Sequence, residues 1–142
     1  MRSMDFDIAA MQPDDYDDVI ALWLRTDRLG LSDADSRENI VMYLARNPGL
    51  SIVARRNEMI VGTVLCGHDG RRGYLHHLAV AEEHRNSGIG SALVERSLRA
   101  LATVGIHKCH IFVVADNAAG IAFWKRAGWA ERVELMMLSA MT

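Results

Sequence analysis

The sequence has little that would cross-link it or anchor it. Cysteine occurs only twice in 142 residues, as Cys66 and Cys109, with no metal-ligand spacing and both in apolar runs. That usage reads as buried thiols in a reducing cytoplasm rather than as a disulfide framework. No stretch approaches the ~20 apolar residues of a membrane-spanning helix. The N-terminus lacks the charged-then-apolar order of a secretory signal. Neither sign of charge dominates: 16 basic and 18 acidic side chains leave a net charge of -2. Nucleic acid and anionic membrane are therefore not expected as partners. Internal repeats, linkers and low-complexity segments are also missing. What is there is an ordinary globular balance, 50% hydrophobic and 24% charged, long enough for one domain, residues 1–142, with a real core. The eight methionines suit an adaptable core.

The informative stretch is His84-Arg85-Asn86-Ser87-Gly88-Ile89-Gly90-Ser91. The apolar run Leu75-His76-His77-Leu78-Ala79-Val80 before it reads as a strand. After it, Ile89, Leu93, Val94, Leu98, Leu101 and Val104 recur at helical spacing. A strand thus feeds a glycine-bearing turn that opens into a helix. Such a turn aims several backbone N–H groups one way, and the helix dipole adds positive potential there. Gly88 and Gly90 let a bulky anion approach the backbone, and Arg85 adds a charged donor suited to phosphate. The alternative is an ordinary glycine-rich turn capping a helix. Two familiar phosphate loops are excluded by spacing. No lysine follows the glycines as a Walker loop requires, and Gly88-Ile89-Gly90-Ser91-Ala92-Leu93 lacks the third glycine of a dinucleotide fingerprint.

What remains, Arg85-x-x-Gly88-x-Gly90 after Leu78-Ala79-Val80, resembles the pyrophosphate-binding motif of the GNAT superfamily of acetyl-CoA-dependent N-acyltransferases. A second stretch, Asn117-x-x-Gly120-Ile121-x-Phe123-Trp124-Lys125-x-x-Gly128-Trp129, is similar to that family's Asn-x-x-Ala-x-x-x-Tyr-x-x-x-Gly-Phe motif. The two motifs stand in the family's order, and the resemblance, closest to small stand-alone bacterial members, covers nearly the whole chain. It implies acetyl-CoA held by Arg85, Asn86, Ser87, Gly88, Ile89, Gly90 and Ser91, by the main chain around Leu78, Ala79 and Val80, and by Asn117 and Trp124. No metal is expected from the residues themselves, since the cysteines lack ligand spacing and the Asp14–Asp18 carboxylates lack a shaped loop. One departure stands out. The family's tyrosine, which often protonates the departing thiolate, is replaced by Trp124, whose indole N–H is no proton source near neutral pH.

Acyl transfer to an amine needs a base poised near neutrality, an N–H donor for the developing oxyanion, and attack geometry. His76 and His77 are the candidate bases. Strict alternation puts His76 on the face of Tyr74 and Leu78, and His77 on the face of Leu75 and Ala79. His76 matches a position where arylalkylamine-acetylating relatives carry a histidine, so it is the expected base; Tyr74, two residues earlier, is the candidate substitute acid. A structural or surface role is the competing reading for both histidines. With no cysteine in a nucleophile setting, attack is expected directly in a ternary complex. The acceptor class, a small-molecule or peptide amine, is not narrowed by sequence, and a homodimer is neither specified nor excluded. The alternative function is a non-catalytic acyl-CoA-binding or regulatory module, motivated by Trp124. A nucleotide-binding protein of another fold is a third reading.

Along the chain, the expected order is βααβββαβαβ, a mixed α+β fold. It comprises a strand over Asp5–Ala10, a helix opening at Pro13-Asp14-Asp15, and a second helix capped within Ser32–Ser36 and ending at Asn47-Pro48-Gly49. Strands follow over Leu50–Arg55, Met59–Cys66 and Tyr74–Val80, then the long helix, a strand over Cys109–Val114, a helix from Asp116-Asn117, and final strands at Trp129 and Val133–Leu138. An antiparallel meander ahead of a strand–helix–strand crossover gives a mostly antiparallel central sheet flanked by helices. The first two helices form the lobe that, by the resemblance, shapes the acceptor pocket. The carboxylates Asp14, Asp15, Asp17 and Asp18 read as a solvated helix start. Arg71-Arg72 is a pair that could steer an acidic substrate, Glu82-Glu83 is turn charge, and Lys125 is a cation that could approach phosphate.

Overall fold

A computed structural model describes residues 5–142, so the reading of the first four residues as not opening a targeting segment lies outside the described residues. These residues form two compact units, one ending at Phe112 and the other running Val113–Thr142.

The first unit is a five-stranded sheet with its strands in sequence order. Strand β1 (Asp7–Ala10) pairs antiparallel with β2 (Ile52–Arg56), β2 with β3 (Met59–His68), and β3 with β4 (Gly73–Val80). The last, β5 (Cys109–Ile111), joins β4 in parallel after the crossover helix α3 (Ile89–Thr103). Between β1 and β2 lie α1 (Tyr16–Leu24) and α2 (Arg37–Arg46). Each is preceded by a short 3-10 turn with a capping box, Gln12 with Asp15 and Ser32 with Asp35. Pro13 opens the first of these turns, as its fixed φ favours. Helix α3 buries Ile89, Leu93, Val94, Ser97 and Leu101; Leu98 and Val104, expected on the same face, are exposed at its margin.

The two faces of the sheet can be told apart by their glycines. A Cβ on Gly62 would lie 2.8 Å from Cγ2 of Ile89, so that face of β3 meets α3. A Cβ on Gly67 would lie 2.6 Å from the Tyr43 hydroxyl, so the opposite face meets α2. The indole of Trp23 in α1 also reaches that second face, donating to Thr63 Oγ1 at 2.8 Å.

Three expectations are corrected. The alternation of β4 does not hold through His77, because a bulge intervenes: Leu65 pairs with His76 but Thr63 pairs with Ala79, leaving two β4 residues opposite one on β3. Leu75 therefore shares the face of Cys66, Ala79 shares the face of Thr63, and the common face predicted for Leu75, His77 and Ala79 does not exist. The strand expected over Cys109–Val114 stops at Ile111, since the β4–β5 ladder runs only from Gly73 to Leu75, ahead of the bulge.

The third correction lies in the second unit. It contains α4 (Ala118–Arg126), but Trp129 and Val133–Leu138 form no strand. Val133, Leu135, Met136, Met137 and Leu138 are exposed. Their composition suits a strand, yet a strand exists only where its N–H and C=O groups meet a neighbouring ladder, and none among the described residues supplies one.

The close approach at Gly62 yields a prediction. Cγ2 of Ile89 sits on a β-branched side chain with a stiff χ1 and cannot swing aside. Gly62→Ala is expected to lower stability by about 1–3 kcal/mol, read as a lower urea midpoint with unchanged m. An unchanged midpoint would show that β3 and α3 have slack.

Candidate active site

The turn between β4 and α3 is built to present main-chain donors. A 3-10 turn (Glu82–His84) leaves Val80 and is followed by Asn86 and Gly88, both at positive φ, 61° and 87°. Gly88 is the N-cap of α3, and Ala92 N–H donates to its carbonyl at 3.0 Å. Ahead of that bond, the N–H groups of Asn86, Ser87, Gly88, Ile89, Gly90 and Ser91 have no hydrogen-bond partner among the described residues. Nothing lies within 4 Å of where a Gly88 Cβ would stand. The Nε of Arg85 donates to the Val80 carbonyl at 3.0 Å, tying its guanidinium to the strand end, and Ser87 Oγ donates to the His84 carbonyl at 2.6 Å. The Ile89 side chain is buried, so that residue offers the turn only its backbone. The arrangement is an anion site of the helix N-terminus kind.

The bulge in β4 is held from the helical lobe. His77 adopts φ 53°, a left-handed conformation that a residue with a Cβ keeps only when its surroundings fix it. The fixing groups are three. His77 Nε2 donates to Asp35 Oδ1 at 2.8 Å, its ring meets that of Trp23 edge-on at 4.8 Å, and Thr63 Oγ1 donates to its carbonyl at 3.1 Å. Asp35 closes its capping box with the other oxygen, accepting from Ser32 N–H at 3.0 Å, and its carbonyl accepts from the Tyr16 hydroxyl at 2.7 Å. The carboxylate is 8% exposed and the imidazole 13%. Sequence reasoning read the Ser32–Ser36 stretch as a cap; its bond to a histidine 42 residues away left no local signal.

On the same face as the clamp, toward the other end of β4, lies a cavity of about 240 Å³. Tyr43, Arg46 and Asn47 at the end of α2, Gly67, His68 and Asp69 at the end of β3, and Tyr74 and His76 of β4 line it. Asn47 braces it, accepting from His68 N–H at 3.1 Å and donating to the Tyr43 carbonyl at 3.3 Å. The Tyr43 hydroxyl is buried without a partner among the described residues, and burial raises its pKa, so it stays protonated. Asp69 Oδ1 accepts from the N–H groups of Arg72 and Arg71, which hold its carboxyl below the usual range. Tyr74 and His76 each stack on Phe112, at 6.2 and 6.4 Å, and Tyr74 also meets His110 at 5.6 Å. Burial lowers the pKa of His76, helped by the neighbouring charge of His77 and opposed by Asp35. His76 is therefore neutral at pH 7, with a lone pair able to take a proton.

The structure thus brings together Tyr74 and His76 of the predicted site residues in one cavity, and Arg85 to Ser91 in one turn. Ala79 is buried beside Thr63, Val80 pairs with Gly62, and Leu78 falls in the bulge. His77 is separated from its neighbour His76 in role: it serves the clamp. Tyr43, Arg46 and Asn47 were not singled out by sequence, because nothing in α2 alone tells which residues face a cavity. Several charged groups settle elsewhere: Asp15 pairs with Arg55, Asp17 with Arg37 and Glu83 with Arg25.

In the second unit, Asn117 is the N-cap of α4, its Oδ1 accepting from Gly120 N–H at 3.0 Å. Trp124 packs edge-on between Phe123 and Trp129, at 5.2 and 4.8 Å. Lys125 pairs with Glu131 at 3.5 Å.

Comparison with known proteins shows the family and the fold. The model of the acetyltransferase (GNAT) family matches residues 16–129. An acetyltransferase of Pectobacterium atrosepticum is 37% identical over 84% of this chain and 84% of its own. One of Yersinia pestis is 34% identical over 92% of each. Among solved structures, the PaiA N-acetyltransferase of Thermoplasma acidophilum, crystallised with coenzyme A, superposes with a TM-score of 0.75 at 19% identity, covering 88% of this chain and 89% of that one. The chain belongs to the GNAT family of acetyltransferases.

The clamp makes a prediction about stability. Asp35→Ala leaves a buried imidazole N–H without its acceptor and is expected to cost about 1–3 kcal/mol. Asp17→Ala, which breaks the exposed pair with Arg37, is expected to cost less than about 1 kcal/mol. Urea unfolding of both variants checks the contrast; equal losses would show that His77 is held by something else.

Proposed function

We propose that the protein transfers an acetyl group from acetyl-CoA to a primary amine by direct attack in a ternary complex. The observation that carries the reading is the set of unpartnered N–H groups from Asn86 to Ser91 at the start of a 15-residue helix. On this reading they receive the coenzyme's diphosphate together with Arg85, and the anion-binding character of a helix N-terminus supports it. The coenzyme found with the Thermoplasma PaiA enzyme supports the same donor here. Main chain at Leu78, Ala79 and Val80 is assigned to the pantetheine arm and the thioester carbonyl. Asn117 and Trp124 are assigned to the coenzyme on their place in the second motif alone. One family model spans residues 16–129, which supports treating the chain as a single domain, 1–142. A reducing cytoplasm suits its two free cysteines.

In this mechanism His76 removes a proton from the acceptor ammonium. The freed amine attacks the thioester carbon, a C–N bond forms, the nitrogen gives its second proton to water, and the C–S bond breaks. The departing thiolate takes a proton from Tyr74 or from water. A thiolate is a tolerable leaving group, so a tryptophan at position 124 does not forbid the reaction.

The base has a pH signature. Because its folded pKa is lowered, His76 is deprotonated above a value under the usual ~6.5. The acid limb of kcat/KM should therefore fall below about 6.5, and His76→Gln should remove that limb while lowering kcat by about 10²–10⁴-fold. Thiol release across a pH series with an amine panel tests this. An unchanged limb in the variant would take the base role from His76. Tight acetyl-CoA binding with no transfer to any amine would leave a binding module instead of an enzyme.

A further inference from the structure

Arg46 and the Arg71-Arg72 turn are not used by the reaction as written. Arg46 lies in the last turn of α2 and lines the cavity that His76 and Tyr74 also line. Its guanidinium makes no hydrogen bond or ion pair among the described residues, whereas Arg25, Arg37, Arg55 and Arg56 each pair with a carboxylate. Three positions earlier, and so on the same side of the helix, Tyr43 lines the same cavity with a neutral hydroxyl that also lacks a partner. Two neighbouring donors thus stand without an acceptor on one wall. On the adjoining wall Asp69 is the one carboxylate lining the cavity, kept ionised by the N–H groups of Arg71 and Arg72, with the Arg71 charge in reach of it.

We propose that the acceptor is a small amine that also carries a carboxylate, an amino-acid-like zwitterion, read by Arg46. The anionic end meets the Arg46 guanidinium, the one permanently charged donor of that wall. The ammonium end is drawn toward Asp69 and delivered to His76. The separation of unlike charges along one cavity fits a molecule with both signs, and disfavours an acceptor with several ammonium groups, which would meet Arg46 as a like charge. At about 240 Å³ the cavity has room for a molecule of amino-acid size. The inference rests on the acetyl-transfer reading and deepens it.

The test uses matched acceptors at fixed pH and saturating acetyl-CoA: glycine, β-alanine, L-alanine and 4-aminobutanoate, each against its own carboxamide. Thiol release gives kcat/KM for wild type, Arg46→Gln, Arg46→Lys and Tyr43→Phe. The ratio of acid to amide cancels effects of a variant that are common to both, such as partial misfolding. At least one acid should be a better acceptor than its amide for wild type. For Arg46→Gln that ratio should drop about tenfold or more, the size of losing a hydrogen bond to a charged group. The drop should come mainly through KM, with Arg46→Lys restoring part of it and Tyr43→Phe, which removes only a buried hydroxyl, leaving the ratio near that of wild type. Amides used as well as acids, or a ratio unmoved by Arg46→Gln, would overturn the assignment while leaving acetyl transfer intact. Release with no amine of either kind would overturn both.

Discussion

The structure depends on a row of backbone donors with no acceptor among the described residues. A helix start always has orphan N–H groups, and most chains satisfy them with a side-chain cap or with water. Here Asn117 caps α4 and Ser36 caps α2 with their own side-chain oxygens. The N-cap of α3 is instead Gly88, which has no side chain to offer. The helix is stable nonetheless because its apolar face is well supplied: Ile89, Leu93 and Leu101 are almost completely buried. At roughly 1.5–3 kcal/mol for each such side chain, their burial outweighs one missing cap at about 1 kcal/mol. The polar opening of the turn is maintained by the apolar face behind it.

Strand β4 links that turn to the cavity lined by Tyr74 and His76. Its first half carries Tyr74 and His76 into the cavity, and its last residue, Val80, holds Arg85 at the turn. Between them the bulge turns the backbone out of regular pairing, and the Asp35–His77–Trp23 contacts keep it there. The lobe that contributes the cavity wall therefore also sets the shape of the strand that carries the candidate base. This coupling explains why a capping residue and a core tryptophan, both remote in sequence from β4, bear on the site.

Much of this was legible from sequence, and the limits have physical causes. Helical spacing found α1, α2 and α3, and glycine placement found the turn from Arg85 to Ser91, because these signals are local. The family resemblance added membership of the GNAT family, which the family model matching residues 16–129 bears out. Strand alternation failed at His77 because a bulge is decided by what presses on it from elsewhere in the chain. The Val133–Leu138 run misled for the related reason that strand composition does not supply a pairing partner. Arg46 and Tyr43 were invisible because an exposed arginine or a helical tyrosine is ordinary until the end of β3 is placed beside it.

The most direct measurement of the central claim is a titration of the isotopically labelled protein with coenzyme A, following backbone amide resonances. The account predicts that the largest shifts fall on Asn86 to Ser91, with smaller ones at Leu78 to Val80. It also predicts protection of the first set from hydrogen exchange at saturation. Binding that leaves the Asn86–Ser91 amides unperturbed, or no binding at all, would contradict it.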